Sequence, residues 1–135
     1  AHEFAHYRLK HLLKLICINS FFTLLLLYLI FVSGDSILKI FGLGSLNDIG
    51  NLPILLLYAL IFNIVAAPFG NIISRKFEKD ADRLSIKFTG NKDAFVSVMS
   101  KLGKQNLADI NPNKWVKWFF FDHPPISERI AMAEK

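Results

Sequence analysis

Two long stretches without a charged side chain dominate the hydrophobic pattern of this chain, over residues 15–32 and 52–73. A helix needs about 20 mainly apolar residues to cross the hydrocarbon core of a bilayer, so each stretch is long enough. The alternative is a pair of buried core helices in a soluble domain. A short chain has too little other sequence to cover two helices that are apolar on every side. We therefore predict two transmembrane helices. No small-residue cleavage site follows the first, so it is not read as a signal peptide.

The rest of the chain has a helical pattern, and no segment shows the alternation that is typical of a strand. Residues 1–14 contain no helix breaker and lead directly into the first apolar stretch. We therefore expect one helix from about residue 2 to residue 32, which ends at Ser33, Gly34 and Asp35. The other predicted helices cover residues 51–88, residues 92–107 and a short segment from about residue 126. Turns are expected between them at residues 89–91, 111–113 and 123–125.

The composition supports a membrane protein. Hydrophobic residues make up 53% of the 135 residues and charged residues only 20%. These values exclude a disordered chain and are unusual for a soluble domain. The single cysteine, Cys17, excludes an internal disulfide and a multi-cysteine metal site, and its apolar neighbours indicate a small buried side chain.

Positive charges lie on the outer flanks of the two apolar stretches and indicate their orientation. The connection between the stretches holds a single lysine, Lys39, whereas three basic residues precede the first stretch and three follow the second. Positive residues favour the cytoplasmic side, so both ends of the chain should lie there. The same residues explain most of the net charge of +5, and no nucleic-acid-binding pattern is present, so we expect no nucleic acid partner. The flanking residues are Arg8, Lys10, Lys14, Arg75, Lys76 and Lys79.

An HExxH pattern, His2-Glu3-Phe4-Ala5-His6, lies at the start of the first predicted helix. Residues four apart lie one turn apart on the same helix face, so the two imidazoles can bind one metal ion. Glu3 then lies beside the ion, where its carboxylate can take a proton from a metal-activated water molecule. The alternative is two solvated histidines on a helix next to the membrane.

A zinc site also needs a third protein ligand and an open position for water or substrate. Glu78 can be that ligand, and Asp82, one turn later, can accept a hydrogen bond from the outer nitrogen of a ligating histidine. Alternatively, both acids only balance neighbouring basic residues on a solvated helix face. The predicted topology favours a metal site, because the two spans return Glu78 to the membrane face where His2 and His6 lie.

Three motifs in this order resemble the integral-membrane zinc metalloproteases of the Ste24 type, the CAAX prenyl proteases of peptidase family M48. The motifs are HExxH at residues 2–6, Glu78-Lys79-Asp80-Ala81-Asp82, and HPPxxxRI at residues 123–130. The resemblance covers nearly the whole chain. The related HtpX-type membrane quality-control protease shares the two spans and an HPP segment. The run from His6 to His11 and the tryptophans before HPP are more similar to the CAAX prenyl proteases.

The resemblance implies an all-α integral membrane protein with a gluzincin-type HExxH zinc site at the cytoplasmic end of two transmembrane helices. It implies one Zn2+ per chain, held by His2, His6 and Glu78. Glu3 would be the general base and acid, and Asp82 would lie behind the ligands.

The resemblance also implies roles for two residues of the last motif. His123 would stabilise the oxyanion of the tetrahedral intermediate, and Arg129 would bind or orient groups near the active site. The alternatives are a loop histidine before a Pro-Pro turn and a surface arginine paired with Glu128 or Asp122. His11 lies five residues from His6 and has no spacing argument for ligation, so we expect a structural or interfacial role. An interfacial aromatic belt is expected from Trp115, Trp118, Phe119, Phe120 and Phe121.

Proteins of this family have further spans and a substrate-contacting segment before HExxH. We therefore expect residues 1–135 to be the M48 peptidase catalytic region of a longer chain, with spans at about 15–32 and 52–73 and a cytoplasmic part at 74–135. It would be part of a larger multi-span helical chamber, with the lipid bilayer and the remaining spans as partners.

The implied activity is zinc-dependent hydrolysis of peptide bonds in peptide or protein substrates, prenylated or not. The implied location is a multi-pass protein of the cell membrane in a bacterium or of the endoplasmic reticulum in a eukaryote. Two other classes stay open: a non-catalytic metal-binding membrane protein, and a structural two-span protein with coincidental motifs. Glu3 argues against the first, because a metal binder has no use for a positioned base.

Overall fold

A computed structural model describes residues 1–106, 109 and 112–134, and these residues form six α-helices and one short 3-10 helix, with no strand among them. The chain divides into two compact units, one of residues 1–13 with 67–135 and one of residues 14–66. In chain order the helices are α1 (His2–Arg8), α2 (His11–Ile40), the 3-10 helix (Ile49–Asn51), α3 (Leu52–Thr89), α4 (Lys92–Gln105), α5 (Lys114–Phe120) and α6 (Ile126–Glu134).

Helices α2 and α3 contain the two predicted spans. Both are long and apolar enough to cross a membrane, by length and composition. In the most apolar window of α2, 0% of the residues are buried, and in that of α3 only 6% are. A core helix of a soluble domain would bury most of such a window. The exposed apolar surfaces therefore need lipid or further protein segments to cover them.

Within the unit of residues 14–66, α2 does not end at Ser33, Gly34 and Asp35, so that prediction is wrong. The helix continues to Ile40, and the connection that follows folds back onto it. The Asp35 carboxylate accepts a hydrogen bond from the backbone N–H of Leu46 at 2.9 Å. A Cβ atom at Gly34 would lie 2.7 Å from the Leu46 side chain. The small and polar residues thus let the connection approach the helix, and they do not terminate it.

The prediction of one helix from residue 2 to residue 32 is also wrong, because the helix is interrupted between α1 and α2. Lys10 has a φ of 55° at this break, in the left-handed region that a residue with a side chain rarely adopts. Its backbone N–H donates to the carbonyl of Tyr7 at 3.0 Å. No glycine or proline marks this position, so local sequence does not indicate a break.

The other predicted helices are present, and one was missed. Helix α3 ends where predicted, with Gly90 at a φ of 62°, and α6 begins at Ile126. Leu107, the predicted end of α4, and Asn111 of the predicted turn lie outside the described residues. Helix α5 was not predicted from the sequence, and its first turn is capped by the Asn113 side chain.

Helix α5 is held against α3 by polar contacts within the unit of residues 1–13 and 67–135. The Arg75 guanidinium donates to the carbonyls of Lys117, at 3.1 Å, and Phe121. The Asn71 amide donates to the carbonyl of Phe119. Arg75, expected only as a membrane-flanking charge, thus also donates to carbonyls at the end of α5, where helix carbonyls run short of intrahelical partners.

The interior of this unit contains a large share of polar side chains. Its buried apolar residues are small or flexible, whereas its buried polar residues include a histidine and two acids. Buried polar groups are normally hydrogen-bonded or paired, so this interior needs a connected polar network. Besides the buried prolines Pro68, Pro124 and Pro125, the buried apolar residues are Ala5, Ala81, Met99 and Ala133, and the buried polar ones include His11, Glu78, Asp82 and Ser85.

Candidate metal centre

Three side chains from α1 and α3 bring metal-binding atoms together. The Nε2 atoms of His2 and His6 lie 3.1 Å apart. His2 Nε2 lies 3.4 Å from one Glu78 carboxylate oxygen, Oε2, and His6 Nε2 lies 3.3 Å from the other, Oε1. A tetrahedral zinc ion with bonds of about 2.0–2.1 Å separates its donor atoms by about 3.3 Å. The three residues therefore fit a zinc ion, and they are the ligand set that the resemblance implied.

The helices place these side chains through spacing and close approach. His2 and His6 share one face of α1 because they are four residues apart. Ala5 on α1 and Ala81 on α3 are both fully buried, and such small side chains let two helices come close together. The rings of Phe4 and Phe88 are in contact as well, with their centres 5.5 Å apart.

The second ring nitrogen of His2, Nδ1, faces an ion pair formed by Asp82 and Arg129. Asp82 is fully buried, and one of its carboxylate oxygens lies 3.0 Å from His2 Nδ1. The Arg129 guanidinium donates to both oxygens of Asp82, at 2.7 and 2.6 Å, and lies 3.8 Å from the Glu78 carboxylate. The Arg129 side chain is 11% exposed, so it is not a solvated surface charge. The structure therefore connects Arg129 to the cluster through Asp82.

The carboxylates change the protonation of the cluster. Contact with Asp82, followed by contact with Glu78, raises the pKa of His2 to about 9 against the opposing effect of burial. Burial alone would raise the pKa of Glu78 and of Asp82, but their contacts with His2 and with other positive side chains hold both pKa values below the usual range. A histidine must be neutral to bind a metal ion, so an ion bound by His2 would displace this proton.

His123 lies at the exposed edge of the cluster. Its Nε2 atom is 3.7 Å from a Glu78 oxygen, and its side chain is 55% exposed. The Nδ1 atom is 2.9 Å from the Asp122 carboxylate. Pro124 and Pro125, which follow it, are buried and restrict the loop through their fixed φ angles. The imidazole is thus held beside the cluster, where a group entering from solvent can reach it.

Glu3 occupies the first turn of α1, directly after His2, and is exposed. An exposed carboxylate at this position is accessible to water. A proton acceptor that acts on a water molecule needs this access.

His11 also belongs to the site, although its spacing from His6 gave no reason to expect it there. His11 is only 2% exposed, and its Nδ1 atom lies 3.1 Å from Nδ1 of His6. Its ring stacks on Phe77 with the ring centres 4.3 Å apart and an angle of 9° between the planes. Residues five apart on a continuous helix point about 140° away from each other, so spacing alone could not have found this contact.

Replacing Asp82 by Asn should weaken zinc affinity by about 10–100-fold, because it removes the charge behind a ligating histidine but no coordinate bond. Competition with a zinc chelator measures this change. Asp80→Asn is the matched control, because Asp80 is partly exposed and pairs with Arg83 on the helix surface. Zinc loss as complete as that caused by removing a ligand would show instead that Asp82 binds the metal.

Comparison with known proteins gives matches over the whole chain. Residues 1–135 match peptidase family M48. The chain is 34% identical over 140 residues to an uncharacterized metalloprotease, YhfN, of Bacillus subtilis, with 99% of this chain and 32% of that protein covered.

Two relatives from eukaryotes are similar at lower identity. A CAAX prenyl protease 1 homolog of Homo sapiens is 27% identical over 138 residues, which cover 96% of this chain and 28% of that protein. The homolog of Oryza sativa is 26% identical over 145 residues, which cover 99% of this chain and 32% of that protein. The chain thus spans about a third of the length of these relatives.

Proposed function

Because the chain belongs to peptidase family M48, we propose that it is the catalytic part of a membrane-embedded, zinc-dependent endopeptidase of the CAAX prenyl protease type. The observation that carries this proposal is the cluster of His2, His6 and Glu78. The two histidine Nε2 atoms lie 3.1 Å apart, and each lies 3.3 or 3.4 Å from one of the two oxygens of the Glu78 carboxylate. Two nitrogen donors and one carboxylate leave a fourth tetrahedral position for water or substrate, as in catalytic zinc sites.

The residues around the cluster have separate proposed tasks in peptide hydrolysis. Zinc, when bound, supplies Lewis-acid chemistry, which polarises a carbonyl group and lowers the pKa of water to about 7. Glu3 takes the proton from the attacking water and later gives it to the leaving amine. Asp82, itself held by Arg129, keeps the His2 ring in the orientation that a ligand needs.

His123 is the proposed donor to the oxyanion of the tetrahedral intermediate. His123→Ala should lower kcat by roughly 100–1,000-fold, because the charge that His123 meets exists only in the transition state. KM and zinc content should change little, since His123 lies beside Glu78 and outside the three ligands. Steady-state kinetics and zinc analysis test this. A raised KM with unchanged kcat would make His123 a substrate-binding residue, and lost zinc would make it a ligand.

The membrane part of the proposal concerns α2 and α3. Both helices expose apolar surface along the predicted spans, and α5 exposes Trp115 and Phe120 close to where α3 leaves the second span. We therefore propose that α2 and α3 cross the bilayer and that the metal centre lies on the cytoplasmic side, in the cell membrane of a bacterium or the endoplasmic reticulum of a eukaryote.

Cysteine labelling of the full-length protein should place Ser45 and Lys87 on opposite sides of the membrane. Each exposed position is replaced by cysteine in a background in which Cys17 is serine, and an impermeant reagent is added to sealed vesicles of known orientation. Residue 87 should react only from the cytoplasmic side and residue 45 only from the other. Labelling of both from one side would contradict the two-span topology.

A peptide cleavage assay on the full-length protein tests the function itself, because this chain covers only part of its relatives' length. Defined peptides that end in a CAAX sequence are offered with and without a prenyl group. A chelator should stop cleavage, and zinc should restore it. Cleavage of unmodified peptides at equal or higher rates would favour the HtpX-type alternative. Tight zinc binding without cleavage of any peptide would favour the non-catalytic metal-binding alternative.

A further inference from the structure

We propose that His11 is a positioning residue of the metal centre, which accepts a hydrogen bond from Nδ1–H of His6 and thereby fixes this ligand's tautomer and ring orientation. The inference rests on the proposed zinc site and adds a residue that HExxH spacing does not include.

The direction of the hydrogen bond follows from the two nitrogens of His6. Its Nε2 atom faces the cluster, 3.1 Å from His2 Nε2 and 3.3 Å from a Glu78 oxygen. A neutral imidazole that binds a metal through Nε2 carries its proton on Nδ1, and that proton needs an acceptor. The Nδ1 atom of His11, at 3.1 Å, is in the position of that acceptor when His11 carries its own proton on Nε2.

The ring of His11 is itself held firmly. It is buried, and it stacks almost parallel on Phe77, which directly precedes the ligand Glu78 on α3. The centres of the His6 and His11 rings lie 4.9 Å apart with the planes at 78°, so one ring meets the other edge-on. Helix α3 thus carries both Glu78, the proposed third ligand, and Phe77, against which the His11 ring packs.

The break between α1 and α2 makes this contact possible. On a continuous helix, His6 and His11 would point about 140° apart. The left-handed backbone at Lys10 turns the chain so that the first residue of α2 reaches back to α1. An unfavourable backbone conformation of a residue with a side chain persists where the surrounding structure requires it, often at a functional site.

His2 and His6 are therefore supported by different groups. The outer nitrogen of His2 faces the Asp82 carboxylate, and that of His6 faces the imidazole of His11. Removing the His11 acceptor should weaken zinc binding while Asp82 and its pair with Arg129 remain in place.

Two substitutions in the full-length protein separate the acceptor from the stacking. His11→Phe keeps a flat ring for Phe77 but has no acceptor, whereas His11→Asn places its side-chain oxygen where Nδ1 lies but removes the ring. We expect about 10–100-fold weaker zinc binding in His11→Phe, measured by chelator competition, and affinity within about threefold of wild type in His11→Asn. Thermal unfolding of the metal-free proteins reports the packing separately, and there His11→Asn should be the less stable variant.

Wild-type zinc affinity in His11→Phe, or weak binding in His11→Asn alone, would overturn the inference, because affinity would then follow the stacking. A wild-type protein that binds no zinc would overturn the proposed function, and the inference with it. The two failures are therefore distinguishable.

Lys10 offers a second test that leaves His11 unchanged. Lys10→Gly accepts a positive φ without strain, so zinc affinity should be kept. Lys10→Pro fixes φ near about −65° and removes the N–H that donates to Tyr7, so His11 should no longer reach His6 and zinc affinity should fall as in His11→Phe. Equal affinities in the two Lys10 variants would contradict the role of the break.

Discussion

Full-length protein carrying Glu3→Gln should lose peptide hydrolysis by about 100–10,000-fold while keeping its zinc. The amide has nearly the same shape as the carboxylate but cannot accept the proton of the attacking water. Zinc should remain because the cluster of His2, His6 and Glu78 does not include this side chain. Single-turnover rates and metal analysis on the same preparation measure the two effects separately.

The matched control for this substitution is Glu134→Gln, which makes the same chemical change at an exposed glutamate of α6. It should leave the rate unchanged. Glu3→Asp keeps a carboxylate but shortens the side chain by one methylene, so its rate should fall between those of wild type and Glu3→Gln. Turnover within tenfold of wild type in Glu3→Gln would remove Glu3 as the base.

Glu78→Ala should have the second largest effect, through loss of the metal. Two imidazoles remain after this change, and a catalytic zinc site needs three protein ligands. Zinc affinity should therefore fall by more than the roughly 10–100-fold that is typical of residues behind the ligands. Metal analysis after dialysis and chelator competition give the size of the loss, and hydrolysis should disappear with it.

Glu128→Ala provides the comparison for Glu78→Ala. Glu128 is a partly exposed glutamate that pairs with Lys79 and Lys117, away from the three ligands. It should keep its zinc. If Glu78→Ala retained full zinc affinity, the third ligand would have to be sought at Asp82, which contacts His2.

Local sequence was sufficient for several parts of this protein. The end of α3 at Gly90 and the start of α6 after Pro124 and Pro125 follow from the conformations that glycine and proline permit, and both were predicted. The pairing of His2 with His6 also follows from helix geometry alone, since residues four apart share a face.

The two wrong helix boundaries have causes that local sequence does not contain. The break at Lys10 lies in a segment without glycine or proline, and His11 reaches back across it to His6. The continuation of α2 past Gly34 depends on Leu46, a residue of the connection that packs onto the helix. In both places a contact with a residue outside the same stretch of helix accompanies a conformation that the local propensities do not predict.

The residues of the site can be separated in the same way, into those that the sequence indicated and those that only the fold brought together. The sequence by itself determined the residue types and the spacing of HExxH, and these already indicated a metal ion and a base. Only the tertiary structure decided that Arg129 pairs with Asp82 across 47 positions of the chain, and that His11 lies against His6. Helix periodicity relates residues within one or two turns, whereas burial forces polar groups from distant segments to satisfy one another. The parts that Arg129 and His11 play in supporting the two histidines were therefore visible only in the folded chain, whereas the contact of Asp82 with a histidine was already expected from the sequence.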